Sequence, residues 1–485
     1  MTCPLAFATR PLALTLALTL SLGLCASAWG QWSTDPRQNN AIANVPGAAQ
    51  VQPQIVATAD GHWWVSWFGL LPHSAPPQGY DVYLQRLGAD GRAQLAPQGQ
   101  QVAKLGVHWT ESYGLVTDRQ GNALLAFQDD RASPATRRIT ATKIGPSGQP
   151  LWGLSPGSTT ESEHAPHIAL MDNGQAVIAW STETEVHLQK LDVGGRLLWN
   201  DEASLPKELV LGEAEHAYRL ADLQATSDGA VIVSFVRSQG FQSENHLYAN
   251  KISADGKLLW GAGHVKVYGG GTLQHGSFPR FVPDARGGAV FAWYTIAPRM
   301  QVRIQHIRGD GRAIFTPNGV PVSTDLRQAR MHPALTYQTG TDEITVLWTE
   351  LADPTQQLQR GLYAQKINAR GARQWGEPGR PIVLREQGNI ADVQSIAVAD
   401  GTLAFWVQHG ATDAANSIQG IKLATTGAVL CAPFPVSTRP TAKSRLSSAA
   451  SPSGQVLLAW EEASPHQGYD IYLQSVRPDC QLGGL

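Results

Sequence analysis

The chain has 485 residues, of which 42% are apolar and 16% are charged, and its formal net charge is −2 at pH 7. A chain of this length and composition has enough apolar residues to bury a large core. Its nearly neutral net charge provides no field to gather phosphate or an anionic membrane surface, so nucleic acid is not an expected partner.

The first 28 residues have the pattern of a cleaved secretory signal peptide. Arg10 precedes an apolar stretch over residues 12–24, and the small residues Ala-Ser-Ala follow at 26–28. This stretch is short for a membrane span. We therefore expect cleavage after residue 28, a periplasmic or secreted product, and no transmembrane segment in the mature chain. Lipidation at Cys25 and an uncleaved anchor helix remain the alternatives.

Removal of the leader leaves two cysteines, Cys431 and Cys480. An even number of cysteines in an oxidising compartment favours a disulfide between them. Two buried free thiols are the alternative interpretation.

Eight short apolar runs each end in an aromatic residue, at intervals of 53 to 60 residues. These aromatic residues are Trp67, Phe127, Trp180, Phe235, Trp293, Trp348, Trp406 and Trp460. A fixed period of this length is typical of a repeat architecture.

Each repeat is predicted to form four short strands. A first strand, such as residues 167–170, is followed by a turn of Asp, Asn or Gly and by the apolar run, such as residues 176–180. The run is nearly continuous in Ala, Val, Leu and Ile, which predicts a strand covered on both faces. A polar loop leads to an alternating third strand, such as residues 470–474, and a tight turn leads to a fourth strand, such as residues 381–384.

The end of the third strand carries a recurring set of residues. Glycine suits the hairpin turn because the turn requires a positive φ, and it stands at Gly91, Gly148, Gly195, Gly256, Gly311, Gly371 and Gly427. A large residue usually follows about four positions later, as at Trp152, Trp199, Trp260 and Trp375, with Cys431 as the exception. Glutamine recurs on the third strand, at Gln85, Gln189, Gln305, Gln365 and Gln474. We expect these amides to bond neighbouring backbone, since a buried polar group must be paired.

The last repeat ends at Leu485 without a closing aromatic residue or a fourth strand, whereas the segment after the leader contains both features, beginning at Trp32. We therefore predict an all-β fold, an eight-bladed β-propeller of four-stranded antiparallel blades. Residues 29–485 would form this single domain. Residues 30–47 would supply the closing strand of the last blade, which removes an open sheet edge.

The repeat resembles that of secreted bacterial β-propeller proteins, with its best matches at residues 129–131, 256–260, 279–293 and 469–474. Residues 256–260 (Gly-Lys-Leu-Leu-Trp) are also similar to the tryptophan-docking repeat of quinoprotein-type eight-bladed propellers. That family includes quinone-dependent dehydrogenases and non-catalytic assembly scaffolds. Such dehydrogenases often carry adjacent cysteines in the pocket, and this chain has none. The resemblance thus implies the fold without the quinone, and we expect no cofactor.

Histidines and glutamates are frequent at or just before the first strands, which approach one mouth of the channel in a propeller. The candidate ligand-binding residues are His108, Glu111, His164, His216, His275 and His332. Their irregular spacing, and the lack of His-x-x-x-His and Cys-x-x-Cys pairs, favour a polar pocket over a metal site. The alternative is that polar loops simply carry polar residues.

No nucleophile elbow and no phosphate-binding glycine loop occurs in the sequence. We therefore expect a non-enzymatic, monomeric binding or scaffold module for a protein or a glycan. Its variable loops, at residues 68–78, 351–359 and 408–417, are the expected binding segments. The main alternative is a polysaccharide hydrolase or lyase at the channel mouth, which a pair of carboxylates converging near the axis would favour.

Overall fold

The computed structural model describes residues 32–72, 79–107, 110, 112–130, 136–157, 161–199, 208–240, 243–297, 299–353 and 356–484. These residues form 32 β-strands and two short 3-10 helices, Arg385–Gln387 and Asp413–Ala415, but no α-helix. No helix within these ranges is long and apolar enough to cross a membrane. The predicted leader and the candidate residues His108 and Glu111 lie outside the described residues.

The strands follow one another as four-stranded antiparallel meanders. A short strand, β1 (Asn40–Ala43), precedes β2 (Ala49–Ala57), β3 (Trp63–Leu70), β4 (Tyr80–Leu87) and β5 (Gln100–Val107). The next sheet comprises β6 (Gly114–Thr117), β7 (Ala123–Asp129), β8 (Arg138–Ile144) and β9 (Pro150–Leu154). It is followed by β10 (His164–Leu170), β11 (Ala176–Ser181), β12 (Val186–Leu191) and β13 (Leu209–Leu211). The middle of the chain forms β14 (Ala217–Ala225), β15 (Val231–Ser238), β16 (His246–Ile252) and β17 (Val265–Tyr268).

The second half of the chain continues the pattern. It forms β18 (Phe281–Pro283), β19 (Ala289–Thr295), β20 (Gln301–Ile307) and β21 (Val320–Pro321), then β22 (Arg330–Gln338), β23 (Glu343–Asp353), β24 (Gln356–Ile367) and β25 (Arg380–Val383). The last strands are β26 (Ile390–Val398), β27 (Gly401–Gln408), β28 (Ser417–Ala424) and β29 (Val429–Ser437), followed by β30 (Lys443–Ala450), β31 (Val456–Ala463) and β32 (Tyr469–Val476).

The sheets are arranged in a ring around their first strands. Contacts between neighbouring first strands run from β2 through β6, β10, β14, β18, β22 and β26 to β30, and β30 in turn contacts β2. This arrangement of four-stranded sheets around an axis is a β-propeller.

The second strand of each meander carries the core of its sheet. In β11 every residue is buried, as the continuous apolar run predicts for a strand covered on both faces. All eight aromatic residues at the ends of these runs are buried, with exposures of 0 or 1%. Each apolar cluster joins residues of neighbouring sheets, such as Val233 with Val186 and Phe291 with Ile232. A sheet therefore depends on its neighbours for burial.

The glutamines of the third strands bond backbone, as predicted. The Gln85 amide nitrogen donates to the Ala96 carbonyl at 2.7 Å, and its oxygen accepts the Leu95 N–H at 2.8 Å. Gln305 and Gln365 make the same pair of bonds across their own hairpins. These amides therefore hold the turn between the third strand and the segment that leads to the fourth.

A large residue after each of several hairpins packs on the hairpin of the following sheet. The Trp260 indole N–H donates to the Gly309 carbonyl at 3.0 Å, and Trp199 reaches the Ala254 carbonyl in the same way at 3.3 Å. Gly311 has a φ of 84°, and a Cβ there would lie 2.9 Å from the Trp260 ring. Glycine at this turn thus provides both the backbone conformation and the space for the indole.

The N-terminal segment makes, with the last strands, the contacts that a fourth strand and its preceding large residue make in other sheets. Strand β1 pairs antiparallel with β32, with Asn40 opposite Leu473. The Gln474 amide donates to the Ser33 carbonyl at 2.7 Å, and the Trp32 indole donates to the Ala89 carbonyl at 2.7 Å. Trp32 packs against Gly91 as Trp260 packs against Gly311. One parallel bridge, between Ala49 and Tyr469, also joins the β30–β32 strands to the β2–β5 strands.

A disulfide joins Cys431 in β29 to Cys480, which follows β32. It links the fourth strand of one sheet to the chain end beyond the next. The large residue that stands at this position in other repeats is replaced here by the covalent bridge.

Candidate functional site

The two ends of the ring differ in structure. We call the end at which the first strands begin the bulge face, and the opposite end, which carries the hairpin turns after the first and third strands, the turn face. Because neighbouring strands are antiparallel, the variable loops that follow the second strands also lie at the bulge face.

The bulge face is marked by a repeated irregularity in the first strands. In six of them the register shifts where they pair with the second strands, near Val51, His164, Leu220, Met331, Ala391 and Ser444. At five of these shifts, all except the one in β14, a residue other than glycine has a φ between 48° and 56°: Gln52, Ala165, His332, Asp392 and Arg445. This left-handed conformation costs about 1–2 kcal/mol for a residue with a Cβ.

Side-chain preference does not account for most of these bulges. Asn, Asp, His and Gly are the residues that adopt the left-handed conformation most readily, and only Asp392 and His332 belong to this group. Gln, Ala and Arg occupy the same backbone position in the other three sheets. Bulges next to functional sites commonly redirect a side chain. The bulges therefore place chemically different side chains at equivalent positions around the mouth of the channel.

Carboxylates of neighbouring sheets hold two of the bulges. The Gln52 backbone N–H donates to Glu461 Oε1 at 2.7 Å, and the Arg445 backbone N–H donates to Asp392 Oδ2 at 2.5 Å. A third carboxylate, Asp222, accepts the Phe281 N–H at 3.1 Å where the next first strand begins. Each of these bonds crosses from one sheet to the next, so the shape of the mouth depends on contacts between sheets.

The mouth opens into a cavity of about 810 Å³ lined by the first strands β2, β6, β18, β22, β26 and β30, by segments before them and by part of β19. Gln52, His332 and Arg445 line it from the bulges, together with Arg280 and Tyr294. The Tyr294 and His332 rings meet edge to face with centroids 5.4 Å apart. The wall therefore offers hydrogen-bonding, cationic and aromatic groups to one volume.

Two ionisable side chains at the mouth have shifted pKa values. Burial raises the pKa of Glu461, although the Gln52 N–H and the charge of Arg445 oppose this, and the charge of Asp392 raises it further. The surrounding atoms and the charge of Arg360 lower the pKa of His332, although its ring is exposed within the channel. His332 is consequently neutral at physiological pH and can both donate and accept a hydrogen bond.

The predicted histidines do not meet in one pocket. Of those in the described residues, only His332 lines the cavity. His164 begins β10, with its Nδ1 3.1 Å from the Gln128 amide nitrogen, and His216 lies 2.9 Å from the Arg237 guanidinium. His275 is exposed in the segment before β18. Among the described residues, no group of three or more His, Cys, Asp and Glu side chains is close enough to hold a metal ion.

Gln52, Asp392, Arg445 and Glu461 were not predicted from the sequence to lie at the mouth. A usable signal was the proline that follows the bulge at Pro53, Pro166 and Pro333, because proline within a sheet is confined to edges, strand starts and bulges. In the sequence, Glu461 is visible only as the first of two adjacent glutamates after Trp460. Its contact with Gln52 spans 409 residues and leaves no local pattern.

A second repeated set of ionisable residues lies at the turn face. A basic side chain on the third strand pairs with an acidic residue in the turn after the first strand, as for Lys143 with Asp118 at 2.7 Å and Lys422 with Asp400 at 2.8 Å. The Lys422 ammonium also donates to the Pro478 carbonyl at 2.9 Å. These cations are engaged within and between sheets, which assigns them to the structure of the ring.

Comparison with known proteins gives structural likeness only. No family model matches the chain, and no curated protein matches it. A protein of unknown function from Dyadobacter fermentans aligns at 7% identity and a TM-score of 0.42, over 90% of this chain and 96% of its own. A polysaccharide lyase of family PL25, an ulvan lyase, aligns at 12% identity and a TM-score of 0.45, over 82% and 98%. The GH93 α-L-arabinofuranosidase of Fusarium graminearum aligns at 10% identity and a TM-score of 0.38, over 76% and 92%. Similarity this low says nothing about ligand or chemistry, so the function of this chain has to be inferred from its own residues.

Proposed function

We propose that this protein is an exported, eight-bladed β-propeller that binds a glycan at the bulge-face mouth of its channel, as a non-enzymatic binding or scaffold module. The observation that carries the proposal is the ring of left-handed bulges. The same strained backbone position recurs in five first strands while its side chain changes from sheet to sheet. Strain kept at equivalent positions with variable side chains is expected where a rigid scaffold presents a recognition surface.

The composition of the cavity wall favours a glycan over a protein ligand. Sugars present many hydroxyl groups and some apolar ring faces, and the wall combines polar groups such as Gln54 and Ser447 with the ring of Tyr294. The cavity is concave, and its volume of about 810 Å³ falls in the range of small-molecule sites. A protein ligand would instead use the flatter loops around the mouth.

The eight-blade count and the closure by the N-terminal strand belong to the same proposal. The pairing of β1 with β32 and the Gln474–Ser33 hydrogen bond support a last blade made of β30, β31, β32 and β1. Export follows from the leader pattern, and a Cys431–Cys480 disulfide fits an oxidising compartment.

A glycan array and a pull-down from envelope extract, run side by side on the protein that begins at residue 29, test this function. We expect binding to a defined set of glycans, and we expect His332→Ala to weaken it about tenfold, the loss of one or two hydrogen bonds to a sugar. His62→Ala is the matched control, because His62 lies in a turn at the opposite face.

Two results would contradict the proposal. A protein captured reproducibly with no glycan bound would replace the glycan with a protein ligand. Equal losses of glycan affinity for the His332 and His62 variants would mean that the ligand does not bind at this mouth.

A second candidate function, cleavage of a polysaccharide, is favoured by Glu461 and Asp392. Both carboxylates lie next to Arg445, one at 3.3 Å from its Nε and the other bonded to its backbone N–H. A pair of carboxyl groups, one of them with a raised pKa, is the arrangement that glycosidases use for general acid catalysis. Against it, Glu461 is 4% exposed and already accepts the Gln52 N–H.

Enzymatic activity is tested by incubating the protein with a panel of polysaccharides. New reducing ends report a hydrolase, and ultraviolet absorbance of unsaturated products reports a lyase. Activity that Glu461→Gln abolishes and His62→Ala leaves intact would establish the second function in place of the first.

A further inference from the structure

We infer that the glycan bound at this mouth is acidic, with carboxylate groups on its sugar rings; this inference rests on the proposed function. The inference rests on a separation of charge: arginine side chains line the cavity, whereas the nearby carboxylates bond protein groups.

The charged side chains among the described residues that line the cavity are arginines. Arg280 lines it from the segment before β18, and Arg445 lines it from β30. Both side chains are accessible, since Arg280 is exposed and the Arg445 side chain is 51% exposed. Among the described residues that line this cavity, none is Asp or Glu.

The carboxylates near these arginines are not among the described residues that line the cavity, and they bond protein groups. Asp222 is 3% exposed, and it accepts the Phe281 N–H and pairs with His167 at 3.3 Å. Glu461 is buried, accepts hydrogen bonds from the Gln52 N–H and the Ser444 hydroxyl, and lies 3.3 Å from Arg445 Nε. Asp392 is partly exposed and accepts the Arg445 backbone N–H. Backbone N–H groups and the Arg445 Nε therefore offset part of the negative charge, while the Arg280 and Arg445 side chains remain accessible.

This arrangement favours an anion in the channel. A concave site lined by one sign of charge concentrates the field and attracts the opposite charge. A guanidinium donates two parallel hydrogen bonds to a carboxylate, which makes it the preferred side chain for such groups. Arg280 and Arg445 belong to different sheets, so they suit a chain of sugars that carries more than one carboxylate.

The experiment compares uronate oligosaccharides with their carboxyl-reduced counterparts, which keep the same linkages and lack the charge. Binding is measured by calorimetry on the protein that begins at residue 29. We expect the acidic form to bind about tenfold more tightly or better, as for a hydrogen bond to a charged group, and its affinity to fall as salt is raised. Arg280→Gln and Arg445→Gln should each weaken binding of the acidic form about tenfold. Binding of the neutral form should change little.

Arg312→Gln is the control, because this arginine is exposed in a turn at the opposite face. Circular dichroism checks that each variant is folded, and Arg280→Gln keeps the test valid if substitution of Arg445 disturbs its bulge. Equal affinity for acidic and neutral oligosaccharides would overturn the inference and leave the proposed function intact. Binding to no glycan of either kind, on this panel or on the array, would overturn the proposed function itself.

Discussion

Gln52 and Arg445 show how single residues set the shape of the mouth. Each adopts a left-handed conformation that costs about 1–2 kcal/mol, and each has its backbone N–H bonded by a carboxylate from the preceding sheet. A hydrogen bond to a charged acceptor contributes about 1.5–3 kcal/mol, which is enough to offset the strain. Glu461 and Asp392 are thus positioning residues in the binding function that we propose.

His187 is a buried residue whose protonation should affect stability. Its ring stacks on Trp180 with centroids 5.8 Å apart, and its Nδ1 lies 2.6 Å from Glu208. Burial alone would lower the pKa of His187, but the hydrogen bond and charge of Glu208, followed by those of Glu185, outweigh burial and raise it. Protonated His187 therefore stabilises the folded chain.

We predict that His187→Gln lowers the melting temperature more at about pH 5.5 than at about pH 8.5. Because the folded-state pKa lies above the ordinary value of about 6.5, the stabilisation is complete below that pH and is lost as pH rises through the folded-state pKa. Thermal melts of the wild type and the variant across this range provide the measurement. A difference between the two proteins that does not change with pH would exclude a protonated His187 in the fold.

At the scale of elements, the strand order and the turns could be predicted from the sequence because both depend on local patterns. The continuous apolar runs predicted doubly covered second strands, and β11 is buried throughout. The glutamine amides were expected to bond backbone, and Gln305 does so at 3.0 Å. The bulges could not be predicted in this way, because an extra residue in the first strand leaves the apolar pattern of the second strand unchanged.

The N-terminal segment should behave as the missing end of the last repeat. Trp32 and Trp199 each donate an indole hydrogen bond to a hairpin carbonyl of the next sheet, at 2.7 and 3.3 Å, and both are buried. We predict that Trp32→Ala and Trp199→Ala destabilise the protein by similar amounts, about 3–5 kcal/mol each. Urea unfolding followed by tryptophan fluorescence measures both losses.

The stronger form of this test removes the whole segment. A chain that begins at residue 48 should melt well below one that begins at residue 29. The N-terminal strand does not close the ring if the two chains have the same melting temperature. The same conclusion follows if Trp32→Ala leaves the stability unchanged while Trp199→Ala lowers it.

At the scale of the whole molecule, the repeat defines the scaffold, whereas the site depends on differences between repeats. The period predicted the propeller, and it identified Trp32 as the closing aromatic residue that the last repeat lacks. It could not identify Glu461 as a partner of Gln52, because such contacts form only when distant repeats become neighbours. Of the histidines expected at the mouth, His332 lines the cavity, whereas His164 and His216 are engaged with Gln128 and Arg237.

The disulfide is a feature of the whole ring, because it ties the chain end to a neighbouring sheet. We predict that the protein that begins at residue 29, alkylated without reduction, shows no free thiol by mass spectrometry. Replacing both Cys431 and Cys480 with Ser should lower the unfolding free energy by about 2–4 kcal/mol, since the bridge closes a loop with a sequence separation of 49 residues. Two alkylated thiols in the native protein would show that the bridge does not form.

The hydrogen bond from Gln474 to Ser33 joins residues 441 positions apart, and this has a consequence for biosynthesis. Residues 32–43 leave the ribosome early, yet their strand partner is among the last residues to be made. The beginning of the chain therefore stays unpaired until synthesis is almost complete. A prematurely terminated product would have no partner for that segment, so proteases should distinguish finished molecules from unfinished ones at this seam.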